Sequence, residues 1–234
     1  MHIKRVIHTM NPTRSKLALY NKTASNEISE MLDNCAMIGD IQTLQKYHID
    51  GYDCSTIGAD NAAINGHSNI IKLLHEWGID CDQSGVNWAA KNGQLEILKL
   101  LHTYEINCDP FGVDMAIRAG QFPVVCQLFD WNIYCTYHGP MHCIQIGDVD
   151  FLRVLYETYN IICNHDEAIS MLWLGSRTNI KNMYGNDALH MTWTGQYLKI
   201  IQQLYDWYIL TDDDIVTIAN YFPKYSDEIL QIIE

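Results

Sequence analysis

Apolar side chains recur at helical spacing within residues 95–104. Leu95, Leu98 and Leu101 stand three positions apart, and Ile97 and Leu100 lie beside them. An apolar stripe of this kind predicts an amphipathic helix over Leu95–Tyr104, with polar side chains on its other face. The preceding segment, Asn87–Asn92, is shorter and contains two alanines. We therefore predict a helix–turn–helix pair with Gly93 in its turn.

The same pattern returns every 27 residues. Columns with this period hold turn glycines (Gly39, Gly66, Gly93, Gly120, Gly147), further glycines (Gly58, Gly85, Gly112, Gly139) and cysteines (Cys54, Cys81, Cys108, Cys135). A fixed period of roughly 20–50 residues indicates one supersecondary unit copied in tandem. Each copy buries its apolar face only against its neighbours, so we predict one continuous array.

Residue size differs between the two predicted helices of each copy. Small residues align in the first helix at Ala62, Ala89, Ala116 and Cys143, and leucines align in the second at Leu74, Leu101, Leu128 and Leu155. A thin first helix beside a thick second helix makes the stack curve. An aromatic column of Trp77, Tyr104 and Trp131 ends the second helix, and we predict that it belongs to the core.

Polar residues and glycine mark where the first helices are expected to begin and end. Asn87 is predicted to cap one of them, and Asp60 and Asp114 its neighbours, because short polar side chains accept hydrogen bonds from the first N–H groups of a helix. Gly93 is predicted to end the helix, because glycine adopts the left-handed backbone that follows many helices. A short extended link, Ile106–Asp109, then leads to the next copy.

Three copies carry the residues of a known repeat. They read Ala62-Ala63-Ile64-Asn65-Gly66-His67, Ala89-Ala90-Lys91-Asn92-Gly93-Gln94 and Ala116-Ile117-Arg118-Ala119-Gly120-Gln121. This resembles the ankyrin repeat, whose pattern reads A-A-x-x-G-H, followed by paired aliphatic residues such as Ile70-Ile71. Short copies rich in Asn, Ile and Tyr are also similar to the ankyrin proteins of large amoeba-infecting viruses.

Two differences from ankyrin repeats change the expected fold. The ankyrin period is roughly 33 residues, so each copy here is shorter, and the missing part falls where ankyrin repeats place a projecting β-hairpin. The T-P-L-H motif is replaced by Gly58-Ala59-Asp60-Asn61 and Gly85-Val86-Asn87-Trp88. The resemblance therefore implies an all-α, ankyrin-like helix–turn–helix solenoid with shortened or absent β-hairpin fingers.

The regularity of the repeats predicts three regions, namely a basic tail (1–26), regular ankyrin-like repeats (27–165), and degenerate repeats with a C-terminal cap (166–234). The first region has five basic residues and no acid, so a mitochondrial transit peptide is the alternative to a tail. In the last region we expect a helix pair, Asp187–Thr194 and Tyr197–Trp207, separated by Gly195. Residues 176–186 are either a degenerate helix or an inserted loop.

Charge and cysteine usage narrow the partners and the compartment. The formal net charge is −13, which disfavours nucleic acid and suggests a protein partner with a basic surface. No apolar run is long enough for a membrane span. Equivalent cysteines lie a helix spacing of roughly 8–10 Å apart, beyond the roughly 7 Å that a disulfide allows. We expect free thiols and a cytoplasmic monomer, in the host cytoplasm if the protein is viral.

Potential metal ligands gather in one string, Cys135, His138, His142 and Cys143. Zinc sites use Cys and His, but the two cysteines lie in packing columns and His142 in a variable, exposed column, so no metal is predicted. The column of His48, His75 and His102 is interpreted as a solvated outer face. No G-x-S-x-G, H-E-x-x-H or G-x-x-x-x-G-K-[ST] motif occurs. We expect a protein that is not an enzyme and has no cofactor.

The positions that vary between copies are the candidate binding residues. They lie beside the recurring alanines and turn glycines, at positions that face the concave groove in the ankyrin pattern. They comprise Asn65, Trp88, Lys91, Asn92, Met115, Arg118, His142 and Gln145. Exposed Trp and Arg are common anchors of interfaces. We predict a protein–protein interaction scaffold or adaptor. The alternative is a ubiquitin-ligase-type substrate adaptor, because Phe222-Pro223 and Glu228-Ile229-Leu230 faintly resemble the start of an F-box.

Overall fold

The chain is all-helical over the residues that its computed structural model describes, which are 26–170, 172, 187–222 and 225–234. No strand occurs among them. The helices are α1 (26–38), α2 (Ile41–Ile49), α3 (Thr56–Ile64), α4 (Ser68–Glu76), α5 (Gln83–Lys91), α6 (Leu95–Thr103), α7 (Pro110–Arg118), α8 (Phe122–Asp130), α9 (His138–Ile146), α10 (Val149–Tyr159), α11 (165–170), α12 (Asp187–Asp206), α13 (Asp212–Tyr221) and α14 (Ser226–Leu230). Residues 1–25 and the segment 176–186 lie outside the described part.

The chain divides into two compact units, Met1–Asn107 and Cys108–Glu234. In the N-terminal unit, α3 packs against α4 and α5, and α6 packs against α4 and α5. In the C-terminal unit, α7 packs against α8 and α9, and α9 packs against α10. Successive helices therefore form pairs, and pairs pack on pairs, within each unit.

Glycine forms the turn inside each pair. Gly66 and Gly93 in the N-terminal unit, and Gly120 and Gly147 in the C-terminal unit, have φ between +70° and +84°. A side chain is disfavoured at such angles, so glycine is the residue that suits the turn. The left-handed conformation predicted for Gly93 is confirmed, as is the second helix of that copy, which runs over Leu95–Thr103.

The first helices are longer than the sequence pattern predicts. Helix α5 spans Gln83–Lys91, and its N-cap is Asp82, whose carboxylate accepts hydrogen bonds from the N–H groups of Ser84 and Gly85. Asn87 lies inside this helix and is buried. The predicted cap was wrong because the first turn, Gln83-Ser84-Gly85, has no apolar residue to signal a helix.

The other two predicted caps were wrong in the same way. Asp60 lies inside α3, and Asp114 lies inside α7. The actual N-caps are Ser55 for α3 and Asp109 for α7, each of which accepts a backbone N–H of its helix. Asp60 and Asp114 instead contact the next helix pair along the chain.

These acidic side chains accept hydrogen bonds from the start of the following pair. Asp33 accepts from the N–H and hydroxyl of Ser55, both over 2.7 Å. Asp60 accepts from the N–H of Asp82 over 2.9 Å. In the C-terminal unit Asp114 accepts from the N–H of Thr136 over 3.0 Å. The column thus ties consecutive pairs together and satisfies N–H groups just before each first helix.

The same contacts explain why glycine recurs inside the first helices. A Cβ at Gly58 would lie 2.8 Å from the carboxylate of Asp33, and a Cβ at Gly85 would overlap the carboxylate of Asp60. Both glycines are in ordinary helical backbone, so their role is close approach and not a turn. The column predicted only as a repeat marker is therefore a packing requirement.

Small and large side chains share the core as predicted. The first-helix residues Ala62, Ala89, Ala116 and Cys143 are fully buried, and the second-helix residues Leu74, Leu101, Leu128 and Leu155 are at most 1% exposed. Alanine keeps the distance between neighbouring first helices short, and leucine fills the space beneath the second helices. Burial of these columns brings helix pairs of the same unit into contact.

The last helices depart from the predicted pattern at one point. Gly195 was expected to separate two helices, but α12 is one helix that runs through it over Asp187–Asp206. Glycine inside a helix costs only about 1 kcal/mol relative to alanine, and it breaks a helix only where other residues support a turn. Thr211 caps α13 through a capping box with Asp214. No helix in the described part has the length and apolar character needed to cross a membrane.

Candidate functional site

The candidate binding residues lie on the first helices of the pairs, or directly after them. We call Asn65, Trp88, Lys91 and Asn92, from α3 and α5, the first-helix face of the N-terminal unit. Met115, Arg118, His142 and Gln145, from α7 and α9, form the first-helix face of the C-terminal unit. None of the eight side chains is buried, although Lys91, Met115, His142 and Gln145 are only half-exposed.

Trp88 dominates the face of the N-terminal unit. Its side chain is 42% exposed, whereas the adjacent Ala89 and Ala90 are fully buried. The ammonium nitrogen of Lys91 lies 4.0 Å from the centroid of the indole ring, because residues three apart on a helix are neighbours. This is a cation–π contact. It orders the lysine and holds a positive charge beside the largest exposed apolar surface of this face.

The two asparagines of this face are fixed through their amide nitrogens. Asn65 donates its side-chain N–H to the carbonyl oxygen of Asn61 over 2.8 Å, and Asn92 donates to the carbonyl oxygen of Ile64 over 3.3 Å. Both residues are exposed. Because the nitrogens face backbone carbonyls, the oxygen of each amide is the atom available to an incoming N–H donor.

Arg118 and His142 distinguish the face of the C-terminal unit. Arg118 is exposed, and no carboxylate in the described part of the chain pairs with it. Burial lowers the pKa of His142, the nearby charge of Arg118 lowers it further, and a hydrogen bond with Gln145 acts in the opposite direction. The imidazole is therefore neutral near pH 7. Its Nδ1 atom is buried and has no hydrogen-bond partner among the described residues.

The sequence prediction of a variable, exposed position was wrong for His142. The position holds Trp88 in an earlier copy, where the side chain is exposed, and Asn61 in another, where it is half-buried like His142. The imidazole of His142 is half-buried, and its centroid lies 6.3 Å from that of the His138 ring. The residue types found at this repeat position do not predict that the imidazole of His142 is partly buried.

The outer edge of the N-terminal unit holds a set of stacked rings that the sequence pattern did not predict. His48 stacks on Trp77 with centroids 3.8 Å apart, and His75 stacks on Tyr104 at 3.7 Å. Each histidine also meets a carboxylate through Nδ1, that of Asp53 for His48 and that of Asp80 for His75.

The prediction that the aromatic column belongs to the core was therefore wrong. Trp77, Tyr104 and Trp131 are all half-buried. A signal was present in the spacing, since each stacked aromatic residue follows its histidine by one period and two residues. A pattern of apolar positions cannot reveal it, because histidine counts there as polar.

The string of potential metal ligands offers no metal centre in the described part, where no three His, Cys, Asp or Glu side chains are arranged around one point. Burial raises the pKa of Cys135 to about 12, and burial raises the pKa of Cys143 further. Both thiols are protonated near pH 7, whereas a metal binds the thiolate. All eight cysteines are free thiols.

Comparison with known proteins does not change this picture, since no family model and no curated protein matches the chain. The geometry of the two first-helix faces is therefore the guide to function. That geometry consists of an exposed tryptophan with an ordered lysine in one unit, and of an unpaired arginine beside a neutral histidine in the other.

Proposed function

We propose that this protein is a non-catalytic interaction scaffold that binds a protein partner through its first-helix faces. The observation that carries the proposal is Trp88, a large indole that is 42% exposed on a helix whose neighbouring residues are fully buried. Its side chain is not needed for the core of its own unit. Tryptophan and arginine are enriched among the residues that contribute most to binding at protein interfaces.

The rigidity of the supporting helices favours this function. Trp88 projects from α5, which begins at the Asp82 cap and ends at a glycine turn, and Lys91 is ordered by its contact with the ring. A face whose side chains are already held in place loses less entropy on association. Met115 and Gln145 are half-exposed on the corresponding helices of the C-terminal unit and supply adaptable contact area there.

An ankyrin-like solenoid is part of the proposal. It is supported by the 27-residue columns of the sequence and by helix pairs that pack in chain order within each unit. Repeat arrays of this kind bind partners along their surfaces, and each repeat adds side chains to the binding face. In this architecture the varying positions of the first helices are the natural determinants of specificity.

The proposal can be tested by selecting ligands from a random library of 12-residue peptides displayed on phage, with the full chain as target. Affinities of selected peptides are then measured by fluorescence anisotropy for wild type and for Trp88→Ala. Truncation of an interface anchor costs about 2 kcal/mol or more, so binding should weaken by more than about tenfold.

The control changes the opposite helix of the same pair. Glu96→Ala and Lys99→Ala remove an exposed ion pair on α6, and they should leave peptide affinity within about twofold because exposed pairs contribute little. Thermal unfolding of every variant checks the fold. Selected peptides that bind Trp88→Ala and Arg118→Ala as well as wild type, but lose affinity for the α6 variants, would contradict the proposal.

A further inference from the structure

The two first-helix faces carry charge of the opposite sign to the units that bear them. Residues 27–107 include 12 acidic and 4 basic side chains, and residues 108–234 include 16 acidic and 6 basic ones. The charged members of the faces are nevertheless both cations, Lys91 in the N-terminal unit and Arg118 in the C-terminal unit. The same repeat column places them there, since they are 27 residues apart.

Neither cation pairs with an acidic side chain four residues earlier on its own helix, the spacing at which opposite charges are neighbours. The residue four before Lys91 is Asn87, the uncharged member of a column that holds aspartate at positions 33, 60 and 114. The contact that orders Lys91 is the ring of Trp88, which leaves the positive charge uncompensated.

In the C-terminal unit the acid four residues before the cation is present but engaged elsewhere. Asp114 is 2% exposed and accepts hydrogen bonds from Thr136, so its carboxylate does not pair with Arg118. His142 is kept neutral by burial and adds no competing charge. Arg118 is therefore an exposed cation with no carboxylate partner among the described residues, in a chain with almost twice as many acidic as basic residues.

We infer that each first-helix face accepts carboxylate side chains, so that the partner is an acidic segment of a protein. The inference rests on the proposed function and specifies its partner. A guanidinium binds a carboxylate through two parallel hydrogen bonds, and an ammonium next to an indole binds a carboxylate while apolar partner atoms cover the ring. The net charge of the whole chain predicts a basic partner instead, but short-range pairing at a desolvated face outweighs screened long-range attraction.

A nucleic acid is the other common polyanion, and the same charges disfavour it. Its phosphates follow one another at every nucleotide, so a bound strand would run past the many carboxylates outside the two faces. A peptide can place one or two carboxylates at the cation and apolar or neutral residues elsewhere. An acidic peptide therefore suits an isolated arginine or lysine better than a phosphate chain does.

The test uses the phage-displayed library of 12-residue peptides with the full chain as target. The expected result is a selected pool enriched in Asp and Glu over Lys and Arg relative to the unselected library. Synthetic copies of the best acidic peptide should bind Arg118→Glu or Lys91→Glu at least about tenfold more weakly than wild type, because a charge-assisted hydrogen bond is replaced by repulsion. Selection on the Arg118→Glu variant should recover peptides richer in Lys and Arg.

Lys99→Glu provides the matched control, because it makes the same change of charge on α6, outside both faces. It should alter peptide affinity by less than about threefold through long-range effects alone. Thermal unfolding confirms that each variant is folded. A 12-nucleotide single-stranded DNA, measured in the same assay, should bind more weakly than the acidic peptide.

Three results would overturn the inference. They are a pool enriched in Lys and Arg, acidic peptides that bind the charge-reversed variants as well as wild type, and tighter binding of the oligonucleotide. A basic pool that still loses affinity for Trp88→Ala would refute only the acidic partner and would leave the proposed binding face intact. Peptides insensitive to every face variant would refute the face itself, and with it this inference. A selection that yields no peptide counts against both.

Discussion

Thr136 donates its backbone N–H to the carboxylate of Asp114 over 3.0 Å, and its hydroxyl donates to the same carboxylate. The aspartate lies in α7 and the threonine lies two residues before α9. Asp114 is 2% exposed, and burial raises its pKa. A polar pair thus lies between two apolar helix pairs of the C-terminal unit, and it fixes where the second pair begins.

We predict that Asp114→Ala destabilises the protein by about 1–3 kcal/mol, because the N–H of Thr136 loses its acceptor in a buried place. Urea unfolding at pH 7 measures the change. Asp114→Asn keeps an acceptor oxygen and should cost less than Asp114→Ala. A loss below about 0.5 kcal/mol for Asp114→Ala, the range of ordinary surface changes, would show that this contact does not hold the pairs together.

A second prediction concerns the glycine that approaches Asp60. Replacing glycine by alanine inside a helix normally stabilises it by about 1 kcal/mol. Gly85→Ala should have the opposite sign, because the new methyl group would overlap the carboxylate of Asp60. The variant is expected to unfold at lower urea concentration than wild type.

The double variant isolates the cause of that effect. In the background of Asp60→Ala the space at position 85 is open, so the added methyl group should become neutral or stabilising. The coupling between the two changes follows from a double-mutant cycle and should exceed about 0.5 kcal/mol. Equal effects of Gly85→Ala in both backgrounds would mean that the glycine column has another origin.

The acidic column also predicts a dependence of stability on pH. Burial raises the pKa of Asp60 to about 6, the hydrogen bond from the N–H of Asp82 opposes the rise, and the charge of Asp82 adds to it. An unfolded aspartate has a pKa of about 3.9. Between these values the folded chain binds the proton more tightly than the unfolded chain does. The contribution of Asp60 to stability is therefore present below about pH 4 and is lost as pH rises through about 6.

Asp60→Asn removes this dependence and keeps an oxygen that accepts from Asp82. Asn87 occupies the same column one repeat later and shows that the amide fits in such a helix. The stability of the variant relative to wild type should increase from pH 4 to pH 7 in urea unfolding experiments. A relative stability that stays flat over this range would mean that Asp60 is ionised normally in the folded chain.

Features that arise within a single helix pair could be predicted from the sequence. The turn at Gly93 and the apolar stripe of α6 follow from local conformational preference and helical period, and both are confirmed. The burial of Ala89 and Leu101 follows from alignment of the copies.

What the sequence did not reveal involves contacts between copies. Asp60 accepts a hydrogen bond from the next helix pair. Within its own copy, a short polar side chain beside small residues resembles an N-cap, and the sequence pattern therefore predicted that role. The longer α5 depends on Asp82, whose capping role is visible only once the helix is known to start at Gln83. Stacking of His48 on Trp77 is likewise an interaction between copies.

For the candidate residues the sequence pattern predicted accessibility but not electrostatics. The varying columns led to Trp88, Lys91 and Arg118, and none of the three side chains is buried. The contact of Lys91 with the indole, the engagement of Asp114 by Thr136 and the neutrality of His142 depend on three-dimensional geometry. The compartment, a viral origin and recruitment through the C-terminal segment stay predictions from sequence.

The last prediction concerns His165, which lies in the C-terminal unit between two carboxylates. Its Nδ1 atom is 3.0 Å from Asp166, and its Nε2 atom is 2.9 Å from Asp214 in the capping box of α13. A neutral imidazole has one N–H, so it can donate to only one of them, and the observed geometry requires the doubly protonated ring. Hydrogen bonds to Asp166 and then to Asp214 raise the pKa of His165.

Because the folded pKa lies above the unfolded value of about 6.5, the contribution of His165 to stability is fully present below about pH 6.5 and disappears as pH rises through the folded pKa. The ring is exposed, so the effect on stability is small, and NMR titration of the imidazole is the sharper measurement. Its midpoint should lie above that of a histidine in an unfolded peptide, and Asp214→Asn should lower it, because one of the two charged acceptors becomes neutral. A midpoint unchanged by Asp214→Asn would show that His165 does not join α11 to α13 in solution.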